Sequence, residues 1–358
     1  MNDVAELKRF AVVHARSGNL PGYREVLARI ETDDGDAPGS WVGEWSAAAE
    51  RLGAEGRAMD ACRAYAMARF PFVDGPARQR ALERCTAAFE QARPAGVERL
   101  DVETAGGLVR CWTAGLSADR PRPVLLIMGG IVTVKEQWAP VLARVGRLGM
   151  AGIVTEMPGT GENTLRYDAK SPRMLSAVLD AVAGRADASR AYAMTLSFSG
   201  HMALRAALDD SRIRGVITTG APVREFFTDT AWRPRIPRIT MDTLAHMAGV
   251  PAAELGGELA AFALSDAELA ELAVPVRYVA SSRDEIIPPA EAARLPSRVR
   301  DLRMLVHDDV HGSPAHTVET QLWCLRELVR MSGAGLPQRA VFDLLWRAAR
   351  LRGALPGN

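Results

Sequence analysis

A serine marks the bend in AYAMTLSFSGHMALRAAL (residues 191–208), where an apolar stretch passes into an amphipathic one. A strand, a sharp turn and a helix in this order are typical of a turn that presents a nucleophilic serine. Ser197 fits this role because Thr195 and Ser199, two positions to either side, are small where glycine is usual. Choosing Ser199 instead would place His201 at a small position. The alternative is a serine that only caps the helix.

A nucleophilic serine needs a base within hydrogen-bond reach and an acid that holds the base. Asp284 follows the apolar stretch VPVRYVASS, and His311 follows RMLVHD on a loop with Gly312. The residues therefore arrive in the order nucleophile, acid, histidine, each at the end of an apolar stretch. This order predicts a triad of Ser197, Asp284 and His311.

Other residues of the same types remain open as alternatives. They are Glu285 for the acid, His307 or His316 for the base, and Asp308 or Asp309 to orient the base. The pattern Asp-x-Ile-x-Pro favours Asp284, because its proline starts the next helix. His311 is favoured because a base on a loop can swing toward the serine.

The N–H groups of an oxyanion hole are expected from Phe198 and from the loop after LLIMGG, at Gly130 or Ile131. Lys135 and Glu136 follow soon after; such charges are more often solvated, and their role stays open. The stretch PGTGE (158–162) lacks the Lys-Ser/Thr of a phosphate-binding loop and the spacing G-x-G-x-x-G. Nucleotide binding is therefore rejected.

The elements that must position these residues change in type along the chain. Residues 1 to about 93 have helical spacing of apolar residues, and strands alternate with helices from residue 96 onward. This alternation predicts a mostly parallel, doubly wound sheet of the α/β-hydrolase class. We expect a helical N-terminal domain over 1–95, a core over 96–358 and a lid inserted at about 224–273.

The composition is that of a globular protein, with 48% hydrophobic residues and a net charge of +1 from 44 basic and 43 acidic residues. The balance gives no electrostatic sign of binding to nucleic acid or to an anionic membrane. The four cysteines are scattered and predict free thiols in a reducing compartment. Without a signal-like or membrane-spanning apolar run, a cytoplasmic location is expected.

Several motifs together resemble one branch of the α/β-hydrolases. They are RAYAMARFPF, GGIVTVKEQW, EMPGTGE, LSFSG, TTGAPVREFF, SSRDEIIPP and DDVHG. The branch contains 2,6-dihydroxypseudooxynicotine hydrolase, the fungal hydrolases that shorten heptaketide pigments, and the fermentation–respiration switch protein. The resemblance runs from about residue 40 to 335, and the segments GG-x4-KE and MPGTGE are its most specific parts.

The resemblance implies a cleft between a helical domain and the core, a Ser197–Asp284–His311 triad, no metal or organic cofactor, and often a homodimer. It also implies an acidic substrate contact in the lid, for which Glu225 or Asp229 is the candidate, with Trp232 in the same segment. Several relatives cleave a carbon–carbon bond next to a ketone. The resemblance implies that the serine, or a water activated by His311, attacks that carbonyl.

Three functions follow as hypotheses. The first is a serine-dependent hydrolase that cleaves a ketone C–C or ester bond in an aromatic or polyketide-like small molecule. The second is a cyclase or acyltransferase of secondary metabolism, in which a lid keeps water out. The third is a catalytically silent binding protein. The order Ser197–Asp284–His311 argues against the third, and the elbow TLSFSG, without its usual glycines, is the feature in its favour.

Overall fold

The computed structural model describes residues 2–353. Its centre is a sheet of eight strands in the order β1-β2-β4-β3-β5-β6-β7-β8. The strands are β1 (Val97–Thr104), β2 (Gly107–Ala114), β3 (Pro123–Met128), β4 (Ala151–Thr155), β5 (Asp187–Leu196), β6 (Ile213–Thr219), β7 (Val276–Ser281) and β8 (Leu302–His307). The β1–β2 and β2–β4 pairs are antiparallel, and the remaining pairs are parallel. The predicted mostly parallel sheet is confirmed.

Helices precede the sheet and connect its strands. They are α1 (Val4–Ser17), α2 (Tyr23–Arg29), α3 (Trp41–Ala54), α4 (Ala58–Arg69), α5 (Pro76–Ala92), α6 (Lys135–Trp138), α7 (Leu142–Val145), α8 (Arg173–Val182), α9 (Phe198–Asp209), α10 (Glu225–Thr228), α11 (Arg238–Ala248), α12 (Leu255–Leu259), α13 (Asp266–Glu271), α14 (Pro289–Arg294), α15 (Thr317–Met331) and α16 (Leu336–Gly353). The helical N-terminal region is therefore present, as α1–α5.

Both faces of the central strands β3, β4, β6 and β7 are buried, as a parallel sheet requires. Side chains alternate between the faces along a strand. In β3, Leu125 and Ile127 pack in an apolar cluster with the N-terminal helices and α15, whereas Leu126 and Met128 pack in a second cluster with α8 and α9. Because the N-terminal helices share a core with the sheet, the division into domains at residue 95 stays a prediction.

Helix α11 of the segment 224–273 meets the N-terminal helix α1. The carboxylate of Glu6 accepts hydrogen bonds from the backbone N–H groups of Arg238 and Ile239, both at 3.0 Å. These N–H groups open α11, where a helix leaves its donors without intrahelical partners. Glu6 therefore joins α1 to α11, and together the two helices form a roof over the carboxyl ends of the strands.

Within residues 2–353, no helix is both long and apolar enough to cross a bilayer.

Candidate active site

Ser197 occupies a strained turn between β5 and α9. Its backbone angles are φ 57° and ψ −127°. A positive φ is rare for a residue with a side chain, and such strain costs about 1–3 kcal/mol. The turn is held on both sides: the Ser197 N–H donates to the Thr219 carbonyl at 2.8 Å, and the Ser197 carbonyl accepts from the Gly200 N–H at 2.8 Å. The geometry is that of a nucleophile elbow.

Ser199 stands at the elbow position where glycine is usual, and its hydroxyl is fully engaged. The Ser199 Oγ accepts the Leu196 N–H at 2.8 Å and lies 3.0 Å from the Met128 carbonyl at the end of β3. The next residue, Gly200, makes the close passage between helix and sheet, because a Cβ there would lie 1.9 Å from the Thr218 Oγ1. The turn is therefore tight without glycine at position 199.

The structure brings Ser197, His311 and Asp284 together. The His311 Nε2 lies 3.0 Å from the Ser197 Oγ, and the His311 Nδ1 lies 2.8 Å from an Asp284 oxygen. The other Asp284 oxygen accepts the N–H groups of Ile286 and Ile287 at 2.9 and 2.8 Å. A carboxylate fixed in this way can orient the imidazole so that Nε2 faces the serine hydroxyl.

Gly220, at the end of β6, makes room for the histidine and the carboxylate. Its φ is 60°, and a Cβ there would lie 2.8 Å from the His311 Cε1 and 3.5 Å from an Asp284 oxygen. Only glycine satisfies both the backbone angle and the space. The sequence prediction missed this residue, although a glycine directly after the apolar strand GVITT was the available signal.

Two acids and burial set the pKa of His311. Burial lowers the pKa, but the charge of Asp284, its hydrogen bond and the charge of Glu285 raise it above the ordinary value of 6.5. Glu285 also accepts the backbone N–H of His311 at 2.9 Å. It thus holds the loop that carries the histidine, while Asp284 takes the position beside the ring.

The remaining alternatives for base and acid have other partners. The His307 Nε2 pairs with the Thr320 hydroxyl, and the His307 ring stacks on His316 at 4.3 Å. Asp308 pairs with Arg283 at 2.7 Å. Asp309 accepts the Ala315 N–H and lies 3.2 Å from the His316 Nδ1. The structure places none of these four side chains against Ser197 or His311.

The loop after β3 runs beside the elbow. A Cβ on Gly130 would lie 3.6 Å from the Ser197 Cβ, and a Cβ on Gly129 would collide with the Thr133 Oγ1 at 2.0 Å. Within residues 2–353, the N–H groups of Phe198 and Ile131 have no hydrogen-bond partner. Unpaired N–H groups beside a serine hydroxyl are what an oxyanion hole requires.

Lys135 and Glu136 lie in a buried ionic cluster, not in solvent. The Lys135 Nζ is 2.9 Å from Glu136, 3.2 Å from Glu156 and 2.7 Å from Glu162. Burial lowers the pKa of Lys135, and the three carboxylates raise it above its ordinary value, so the ammonium stays charged. Glu156 also accepts the backbone N–H of Lys135 at 2.9 Å. The cluster therefore ties the loop after β3 to the segment after β4.

Arg69, at the end of α4, holds the same loop from the other side. Its guanidinium donates to the carbonyls of Val132 at 2.8 Å and Pro71 at 2.9 Å. Arg69 is almost fully buried. The N-terminal helices thus contribute directly to the position of the loop beside Ser197.

A cavity of about 200 Å³ opens on Ser197 and His311. One face of α1 lines it with Phe10, Val13, His14 and Ser17, at the spacing of neighbours on a helix surface. Helix α11 adds Ile239 and Thr240. In the described part of the chain, no lysine or arginine lines the cavity. The lining is therefore mainly apolar, and Glu285 is its acidic residue.

The acidic residues and the tryptophan expected from the lid lie outside this cavity lining. Glu225 is paired with Arg294 at 2.5 Å. The Asp229 carboxylate accepts the N–H groups of Ala231 and Trp232 in a local turn, and the Trp232 Nε1 donates to the Ile286 carbonyl at 2.9 Å. Each polar group is used within the protein, so the structure gives these three residues no contact with the site.

The lining residues from α1 and α11 were not identified by the sequence reasoning. His14 stands out because it is a titratable side chain in an otherwise mostly apolar wall. The sequence shows the amphipathic spacing of α1, but it does not show which surface the apolar face of α1 covers. Among residues 2–353, no group of three or more His, Cys, Asp or Glu side chains is arranged to hold a metal ion.

A family model described as Esterase FrsA-like matches residues 34–295. The chain is 26% identical over 277 residues to the esterase FrsA of Vibrio cholerae serotype O1, covering 67% of this chain and 66% of that protein. It is 24% identical over 292 residues to the esterase FrsA of Pectobacterium atrosepticum, covering 74% and 70%. The chain thus spans about two thirds of the length of these relatives.

Solved structures extend the similarity over nearly the whole chain. AbyA5 wild type is 51% identical, with a TM-score of 0.94, and the match covers 97% of this chain and 99% of that one. A crystal structure of 2,6-dihydroxy-pseudo-oxynicotine hydrolase is 19% identical, with a TM-score of 0.67, covering 95% and 96%. The second likeness concerns the fold alone.

Proposed function

The chain belongs to the Esterase FrsA-like family of α/β-hydrolases, and we propose that it is a serine-dependent hydrolase that cleaves a ketone C–C or ester bond in an aromatic or polyketide-like small molecule. The family resemblance read from the motifs is confirmed. The observation that carries the proposal is the hydrogen-bonded series from Asp284 through His311 to Ser197. A strained serine that merely capped a helix would need neither partner.

In the proposed reaction, His311 takes the proton of the Ser197 hydroxyl as the oxygen attacks the substrate carbonyl. The N–H groups of Phe198 and of Ile131 or Gly130 stabilise the oxyanion that forms. His311 then gives its proton to the leaving group, which is an alkoxide for an ester or an enolate carbon for a ketone. Water hydrolyses the acyl-enzyme in the second half of the reaction.

The shape and lining of the cavity support the substrate class. The walls are mainly apolar and aromatic, with Phe10, Phe70 and Trp138 among them, and the volume of about 200 Å³ suits a small molecule. We further propose that the protein forms a homodimer and is located in the cytoplasm. The cysteines support the reducing compartment, because all four are buried free thiols.

Cyclisation or acyl transfer is the second candidate, since the roof of α1 and α11 could keep water from an acyl-enzyme. The products distinguish it from hydrolysis. Hydrolysis adds one water and gives a free acid, whereas cyclisation releases a ring without added water.

The test is to incubate the protein with p-nitrophenyl esters and with benzoylacetone, an aromatic 1,3-diketone, and to identify the products by mass spectrometry. We expect a free acid from at least one of them, with the gain of one water. Ser197→Ala is the control and should abolish that release. Equal release by wild type and Ser197→Ala would contradict the proposal.

A further inference from the structure

His14 is a second histidine at the cavity, and the triad does not use it. It comes from α1, near the start of the chain, and its ring packs on Phe70 with centroids 5.3 Å apart. The side chain is half-buried and lines the cavity, and within residues 2–353 its ring nitrogens make no hydrogen bond to another residue. A polar group left unpaired against an apolar wall is costly unless a ligand or water completes it.

The imidazole of His14 is uncharged at neutral pH. Burial first, and then the charges of Arg69 and His311, lower the pKa of His14 to about 4. A neutral imidazole offers one N–H donor and one nitrogen acceptor. It can therefore pair with a carbonyl, ether or hydroxyl oxygen without a net charge on either side.

Two neighbours of His14 in the cavity lining also carry uncharged hydrogen-bonding groups. Ser17 lies three residues further along the same face of α1, and Thr240 is contributed by α11. The carboxylate of Glu285 is the acidic group that lines the cavity, and it would repel an anion. The roof thus offers uncharged hydrogen-bonding groups, and the site disfavours a negatively charged ligand.

We propose that His14 is a substrate-binding residue that hydrogen-bonds an uncharged oxygen on a mainly apolar substrate, on the roof side of the cavity. This inference rests on the proposed function in taking the cavity as the substrate site. It adds that the substrate carries a hydroxyl, ketone or ether oxygen besides the carbonyl that Ser197 attacks. The N-terminal helix α1 is then part of the specificity of the enzyme.

Direct binding tests this inference without turnover. The dissociation constants of methyl octanoate and of its 4-, 5-, 6- and 7-oxo derivatives are measured by calorimetry on Ser197→Ala, and on Ser197→Ala combined with His14→Phe. Phe keeps the ring against Phe70 and removes both nitrogens. Ser197→Ala should bind at least one oxo ester about fivefold more tightly than methyl octanoate, as one net hydrogen bond allows.

The His14→Phe change should remove this preference and leave the affinity for methyl octanoate within about twofold. His14→Gln, which retains a donor and an acceptor, should restore part of the preference. If the Phe variant does not fold, His14→Leu serves for the same comparison. The inference is overturned if the His14→Phe variant prefers an oxo ester to methyl octanoate as strongly as Ser197→Ala does. It is also overturned if Ser197→Ala shows no preference for any oxo ester or binds none of them. Failure of the wild type to release an acid from either the p-nitrophenyl esters or benzoylacetone would contradict only the proposed function.

Discussion

The hydroxyl of Ser199 lies 3.0 Å from the carbonyl of Met128 and joins the nucleophile elbow to the end of β3. The same hydroxyl accepts the Leu196 N–H at 2.8 Å. The strand that ends at Met128 leads directly into the loop expected to form half of the oxyanion hole. The hydroxyl also lies 2.8 Å from the Leu196 carbonyl, so its one proton is shared between an acceptor within the elbow and the acceptor at the end of β3.

Ser199→Ala should lower the free energy of unfolding by about 1 kcal/mol, because the half-buried Leu196 N–H loses its acceptor. It should also slow the reaction of Ser197 with a fluorophosphonate. Ser199→Gly restores the usual residue but loses the same bonds, so it should not behave better. The control is Ser189→Ala, whose hydroxyl lies at the surface and pairs with Asp187. Equal stability of Ser199→Ala and this control would contradict the prediction.

Gly220→Ala should displace His311, because a Cβ at position 220 would lie 2.8 Å from its Cε1. We expect the rate of fluorophosphonate labelling to fall by about a hundredfold, because small displacements of a catalytic group can slow a reaction by that factor. Gly149→Ala is a matched control with a φ of 73° and no atom within 4 Å of the added carbon. That control should lose about 1–2 kcal/mol of stability from its backbone angle and keep its labelling rate. Equal loss of rate in both variants would contradict the steric account.

The labelling rate should rise with pH as His311 loses its proton, because only the neutral imidazole accepts the proton of Ser197. The pKa of His311 is raised, so the midpoint should lie above the ordinary 6.5. His14, with a pKa of about 4, is already uncharged at these pH values and does not add a second step to the pH profile.

Glu285→Gln removes one of the charges that raise the pKa of His311, so the midpoint of the pH profile should move to lower pH. The amide can still accept the His311 N–H, which keeps the loop in place. Profiles of the labelling rate between about pH 5 and pH 9 measure both midpoints. A midpoint that is unchanged, or moves upward, would show that Glu285 does not act on His311.

Glu6→Ala should loosen the roof, because the N–H groups of Arg238 and Ile239 lose their shared acceptor. We expect a loss of about 1 kcal/mol in the free energy of unfolding, as for a lost helix cap. KM for an ester substrate should rise more than kcat falls. The control is Glu25→Ala, an exposed glutamate on α2. Identical behaviour of the two variants would exclude a role for Glu6 in covering the cavity.

Local sequence was sufficient to predict the elements that carry the elbow, Asp284 and His311. Each of these residues follows an apolar strand, and the carboxyl ends of parallel strands meet at one edge of a sheet. The fold class follows from the same alternation of strands and helices. The catalytic roles of the three residues remain proposals, which the geometry supports.

The contributions of the N-terminal helices could not be predicted in the same way. His14 and Arg69 reach the site only because α1 and α4 pack over a sheet that lies much later in the chain. The role of Lys135 and Glu136 stayed open in the sequence, because their carboxylate partners Glu156 and Glu162 come from beyond β4. Tertiary packing determines where these side chains lie, and the local periodicity of the sequence carries no information about that packing.

The central claim is that Ser197 is the nucleophile, and covalent labelling tests it most directly. Intact-protein mass spectrometry after treatment with a fluorophosphonate should show a single adduct, and peptide mapping should place it on Ser197. Ser197→Ala should remain unmodified, and His311→Ala should react far more slowly. A folded wild-type protein that takes up no label, or a Ser197→Ala variant labelled as fully as wild type, would contradict the account.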